Sequence, residues 1–222
     1  MDQLTLASGF GFLIFLAVAN LYIRGKVREN ARTYSGRKAN GDTTGRQLVR
    51  RIVSEEGLPE VEVRMRPTPS GAGSFPDRGV ITIPEPEGNS LFGLVVAAHE
   101  AAHLRQGEGS FPFRVFQGRY LEVAGSIISY LIPLNLVLGV IFYPALLYLA
   151  AGLFCVLAVL VVFESLVEVD ASRRATGYLK EYTGVGAEKL DQVKKILFWA
   201  ILSRISYFTG GYMVLFIMDE AR

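Results

Sequence analysis

Apolar residues gather along this chain in long runs, with stretches of ordinary soluble composition between them. The runs are residues 4–23, 123–163 and 196–218. A helix needs about 20 apolar residues to cross the hydrocarbon core, so the first and last runs each read as one span. Residues 123–163 carry no charged side chain and are too long for one crossing. They read as a two-span hairpin that turns at Tyr143 and Pro144, with Pro133 kinking its first limb. In the polar stretch, residues 44–56 repeat with helical period, placing Leu48, Ile52 and Val53 on one face. Asp42 or Thr43 caps that helix and Gly57 ends it. Val61, Val63 and Met65 alternate with Glu62 and Arg64, the pattern of a strand. Residues 67–73 read as a loop, and residues 79–83 as a second short strand closed by Pro84. Residues 94–107 form a second helix, uninterrupted by Gly or Pro and rich in alanine. The small domain therefore reads helix, strand, strand, helix. Either Val80 to Ile83 is a core strand, or its edge takes an extended peptide.

These elements divide the chain into a first span (1–23), a soluble domain (24–122), a hairpin (123–163), a polar helix (164–186) and a last helix with the fourth span (187–222). Charge then orients them. Arg24, Lys26, Arg28, Arg32, Arg37 and Lys38 follow the first span, and only Asp2 precedes it. The positive-inside rule puts the N-terminus outside and the soluble domain in the cytoplasm of a prokaryotic cell, attached to its inner membrane. Ala17, Val18 and Ala19 resemble a signal-peptide cleavage site, but the leader carries Asp2 and no basic residue, the wrong sign for such a peptide. The basic loop suits anionic lipid headgroups as well as a solvated linker. A formal net charge of +2 gives no reason to expect a nucleic-acid partner. Cys155 is the single cysteine, which excludes an intrachain disulfide and a cysteine-rich zinc site.

The chemistry centres on His99, Glu100 and His103. Both histidines of the chain lie in this motif. Positions i and i+4 share a helix face, so two imidazoles can hold one metal ion. Glu100, next to the first of them, stands where a base takes a proton from metal-bound water. The bland alternative is a buried helix with two satisfied histidines, but the flanking alanines offer them no partners. Zinc held by two histidines needs a third protein ligand and an open position. Glu168 fits, with Glu164 as the other candidate, because carboxylates beside a membrane exit are costly unless they bind something. Arg173, Arg174, Tyr178 and Tyr182 are the nearby groups that can meet a developing oxyanion. Arg204, inside the last apolar run, either snorkels or pairs with a carboxylate such as Glu164.

The layout resembles the YugP-like family of membrane zinc metallopeptidases. The matching residues are 96–103, Gln106 and the stretch Glu168-Val169-Asp170-Ala171-Ser172-Arg173-Arg174-Ala175, with Thr44-Gly45 and Arg50-Arg51-Ile52 in the first soluble helix. The resemblance implies Zn2+ bound by His99, His103 and Glu168, with Glu100 as base, and so favours Glu168 over Glu164. More remotely, the chain is similar to the heat-shock and prenyl-protein-processing membrane peptidases. In those an Asp follows the ligating Glu by four residues, a place held here by Ser172. The turn before the second strand, Ser74-Phe75-Pro76-Asp77-Arg78, lacks the histidine usual in the nearer family, and Leu104 stands where a small residue is more usual.

Pattern, motif and resemblance together lead to one expectation. The chain is mostly α, a four-span membrane protein with a small α+β, zincin-like cytoplasmic metallopeptidase domain. It cleaves protein or peptide substrates, including membrane proteins, at the boundary between bilayer and cytosol. The rival is a non-catalytic membrane assembly protein that keeps a structural metal. A metal transporter is disfavoured by the uncharged hairpin, since ion pathways need polar ligands within the membrane.

Overall fold

The structure is a computed structural model that describes residues 3–39, 41–65, 73–75, 79–107, 119–143 and 145–206. It is mostly helical, with one small sheet. In chain order the elements are α1 (Gln3–Ser35), α2 (Gly45–Glu55), β1 (Glu62–Met65), β2 (Gly73–Phe75), β3 (Val80–Ile83), α3 (Leu91–Gly107), α4 (Arg119–Ile141), α5 (Ala145–Thr183) and α6 (Ala187–Ser206). They form two compact units. One comprises Met1–Gly25, Gly118–Leu166 and Leu202–Arg222, and the other Lys26–Gln117 and Val167–Ile201.

The second unit holds the sheet and α3. Its sheet has the order β1-β3-β2, with β1 parallel and β2 antiparallel to β3. Val63 faces Ile81, and Ser74 lies opposite Ile81 on the other side. Two expectations change here. Residues 73–75, read as the end of a loop (Gly73) and the start of a turn (Ser74 and Phe75), are a third strand. Val80 to Ile83 has both edges paired, so it has no free edge for a peptide. On β1, the guanidinium of Arg46 donates to the Val63 carbonyl at 2.9 Å.

Helix α2 starts at Gly45, one residue later than predicted, and neither Asp42 nor Thr43 is its cap. Thr44 is the N-cap, and Gln47 returns the bond to the Thr44 amide, closing a capping box. Gly45 is required by close approach. A Cβ there would stand 2.9 Å from the Glu85 carbonyl, and the Gly45 amide donates to Gly88. The turn before α3 is thereby tied to α2. Ser90 then caps α3, accepting from the Gly93 amide at 2.9 Å while donating to Glu85 at 2.6 Å. Residues 37–39 brace the same point, since the Leu91 amide donates to the Arg37 carbonyl and the Ala39 amide to that of Asn89.

Leu48, Val49 and Ile52 of α2, Ile81 and Ile83 of β3, and Leu91, Leu94 and Val95 of α3 form one core with Leu179, Val193 and Leu197. Ala97, Ala98, Ala101 and Ala102 have no exposed surface at all, so α3 is enclosed on nearly every side. That explains its composition, because an alanine-rich helix lets neighbours approach its backbone closely.

Helix α1 begins as predicted but does not stop at residue 23. It runs unbroken to Ser35, so the basic residues 24–32 are helical and not a loop. None of them is a Gly or Pro except Gly25, and Lys26 pairs with Glu29 at 2.7 Å, so nothing local ends the helix. Among the described residues α5 is the one helix long and apolar enough to cross a membrane, and α4 contains a shorter apolar stretch, Ile127–Gly139. On α5, Tyr148, Phe154, Val156, Val159 and Val162 are exposed. Gly184, at φ +61°, ends α5 in the left-handed conformation usual after a helix. Most of the predicted fourth span lies outside the described residues, as do Pro76 to Arg78 of the predicted turn and Pro144 of the hairpin.

Candidate metal centre

Three donor groups converge in the second unit. His99 and His103 stand one turn apart on α3, and Glu168 comes from α5. His99 Nε2 is 3.0 Å from Glu168 Oε2 and 3.2 Å from His103 Nε2. His103 Nε2 is 3.6 Å from Glu168 Oε1, so the carboxylate straddles both rings. The rings meet edge to face, centroids 4.7 Å apart. Bond lengths of about 2.0–2.1 Å in a tetrahedral site place donor atoms about 3.3–3.4 Å apart. The three observed separations bracket that range, and one carboxylate with two imidazoles is a donor set that suits zinc. His99, Glu100 and Glu168 are buried, and His103 is nearly so.

The partners around these donors come from the same two helices. Gln106, one turn beyond His103, places its carbonyl 2.8 Å from His103 Nδ1. Its amide donates to the Val167 carbonyl at 2.8 Å and to Asp170 at 2.9 Å. Asp170 also accepts from Arg174 at 2.8 Å. Burial pushes the Asp170 carboxyl up, but hydrogen bonds from Arg174 and Gln106, with the charges of Arg174 and Arg173, outweigh it and hold the group below the usual carboxylate range. The hydrogen bond to Asp170 raises Arg174 in return. Ser172 Oγ lies 3.5 Å from His99 Nδ1, at the limit of a hydrogen bond.

The other predicted site residues are distributed as follows. Glu164 belongs to the first unit, where its carboxylate accepts from Arg204 at 3.0 Å. Of the two fates considered for Arg204, the structure therefore has it paired. Arg174 is engaged by Asp170, and the Arg173 side chain is exposed. Tyr178 is buried; its hydroxyl closes no hydrogen bond of good geometry and has the Glu56 carboxylate as a polar neighbour. Desolvation first, and then Glu56, push its pKa up to about 12. Glu56 itself pairs with Arg105 of α3 at 3.0 Å. Tyr182 stacks on Tyr178 and lies under the Arg51 guanidinium.

Sequence reasoning assigned no role to Gln106 or Asp170. A signal for Gln106 existed, since a polar residue three positions after a helical histidine faces it. For Asp170 the i, i+4 spacing to Arg174 was visible, but its bond to Gln106, 64 residues away, was not.

A carboxylate on one helix and two imidazoles on another, with a buried glutamate following the first imidazole, make a candidate metal centre on a His-Glu-x-x-His helix. The chain belongs to the family described as "Putative neutral zinc metallopeptidase", whose family model matches residues 10–216. Among curated proteins it is similar to "Putative membrane protease YugP" of Bacillus subtilis (strain 168). The two are 29% identical over 202 residues, covering 87% of this chain and 88% of that one. No solved structure matches the chain.

Proposed function

We propose that this protein is a membrane-bound, zinc-dependent metalloendopeptidase that hydrolyses peptide bonds at the membrane–cytosol boundary. The observation that carries the reading is the convergence of three donor atoms from two helices whose ligating residues lie 69 positions apart. His99, His103 and Glu168 would hold the ion, leaving a coordination position open. A zinc ion there would polarise the scissile carbonyl and make a water acidic enough to attack near neutral pH. Glu100 takes the proton from the attacking water and delivers it to the leaving amine. Arg173, Arg174, Tyr178 and Tyr182 are the groups of α5 that could donate to an oxyanion, Arg174 being already engaged by Asp170.

Membrane attachment is supported by the exposed apolar surface of α5 and by the printed name of the Bacillus relative. The four-span topology, the outside N-terminus and the cytoplasmic centre follow from the apolar runs and from the basic residues after the first of them. Substrates are then proteins or peptides that reach the bilayer surface, membrane proteins included.

The test is Glu100→Gln in purified protein. The wild type should contain about one zinc per chain and cleave an unstructured substrate. The variant should keep the zinc and lose the cleavage. Zinc binding without cleavage in the wild type would favour the rival, an assembly protein with a structural metal. Undiminished cleavage by the variant would refute the mechanism.

A further inference from the structure

Gln106 is 4% exposed, and its two ends are told apart by what they face. The Val167 carbonyl and the Arg174-paired Asp170 carboxylate are both acceptors, so both require the amide nitrogen. The Gln106 carbonyl must therefore be the end that meets His103 Nδ1 at 2.8 Å. That contact closes as a hydrogen bond only if Nδ1 carries the proton. His103 Nε2 is then unprotonated and turns its lone pair toward His99 Nε2 and Glu168. Val167 and Asp170 also flank Glu168 on α5, so the same amide holds the helical turn that presents this carboxylate.

Building on the metal-centre reading above, we propose that Gln106 is a positioning residue for two of the three donors. It sets His103 as the Nδ1–H tautomer and ties α3 to the turn of α5 bearing Glu168. Among the described residues, His99 Nδ1 has Ser172 Oγ as its neighbour at 3.5 Å, a longer contact than the one Gln106 makes with His103.

The experiment uses the full chain in detergent, labelled with 15N-histidine. Because the chain has 2 histidines, two rings give the whole spectrum. Under conditions where the 15N shifts themselves show both rings neutral, the metal-free wild type should show His103 protonated on Nδ1. Zinc affinity, measured by chelator competition, should fall about 10- to 100-fold in Gln106→Leu. Gln106→Glu should also bind weakly, because it loses both donations and sets a second carboxylate against Asp170. Adding Asp170→Asn restores a donor facing an acceptor, with the asparagine amide donating to the new carboxylate, and should recover part of the loss while the bond to Val167 stays broken.

A wild-type His103 protonated on Nε2 overturns the proposal. So does a Gln106→Leu affinity within about twofold of wild type, or a double variant no better than Gln106→Glu. If Gln106→Leu does not fold, the glutamate variant and its rescue decide. The tautomer is read without metal. A chain that binds no zinc therefore refutes the functional reading, whereas a zinc-binding chain with the wrong tautomer refutes this proposal alone.

Discussion

Removing the metal tests the centre through the stability of the fold. Glu168 lies 69 residues from His99, so an unfolded chain cannot present the same three donors together. Binding energy at the centre should therefore appear as folding stability. Free zinc at about 1,000 times its Kd stabilises by about 4.1 kcal/mol. The unit that holds the centre has about 130 residues, so its unfolding entropy near the midpoint is about 0.27 kcal/mol/K. The ratio gives a rise in Tm of about 15 °C between chelated and zinc-saturated protein. Trp199, the single tryptophan, belongs to this unit, so its fluorescence follows the relevant transition. Glu168→Ala leaves two imidazoles one turn apart. If that weakens Kd about 100-fold, the stabilisation drops to about 1.4 kcal/mol and the shift to about 5 °C. A wild-type shift below about 3 °C, or a Glu168→Ala shift as large as wild type, would refute the three-donor centre.

Other outcomes follow from single contacts. Glu100→Gln should lower kcat about 10²- to 10⁴-fold in a peptide-cleavage assay while zinc content stays at the wild-type level. Glu164→Gln should leave the zinc-induced rise in Tm unchanged, because its carboxylate partners Arg204; a lost rise would make Glu164 a ligand. Ser90→Ala removes the cap of α3 and should cost about 1 kcal/mol in denaturant unfolding. Tyr178 has a folded pKa above its unfolded value, so the unfolded chain loses that proton first as pH rises. Stability should hold below pH 10 and fall between 10 and about 12, a decline that Tyr178→Phe should reduce in alkaline unfolding scans.

How much of this was legible in the chain depended on the reach of each interaction. Period placed α2, and a run rich in alanine and uninterrupted by Gly or Pro placed α3, because both signals act between neighbouring residues. The same locality put His99 and His103 on one face before any tertiary contact was known. β2 was not legible, since three residues cannot show alternation and the strand exists because β3 offers it a ladder. Nor could the run of basic residues reveal that α1 continues to Ser35, because a change from apolar to charged side chains alters what surrounds a helix without ending it. Spacing left Glu164 and Glu168 as alternatives, and the resemblance favoured the second. Only the fold shows each carboxylate with its partner, Arg204 for one and the two imidazoles for the other. Gln106 makes the division plain. Its bond to His103 spans three residues and follows from helix geometry, whereas its bonds to Val167 and Asp170 depend on how two distant helices pack. Local backbone geometry can be read from the order of residues, but the register between remote helices is set by burial summed over the whole core.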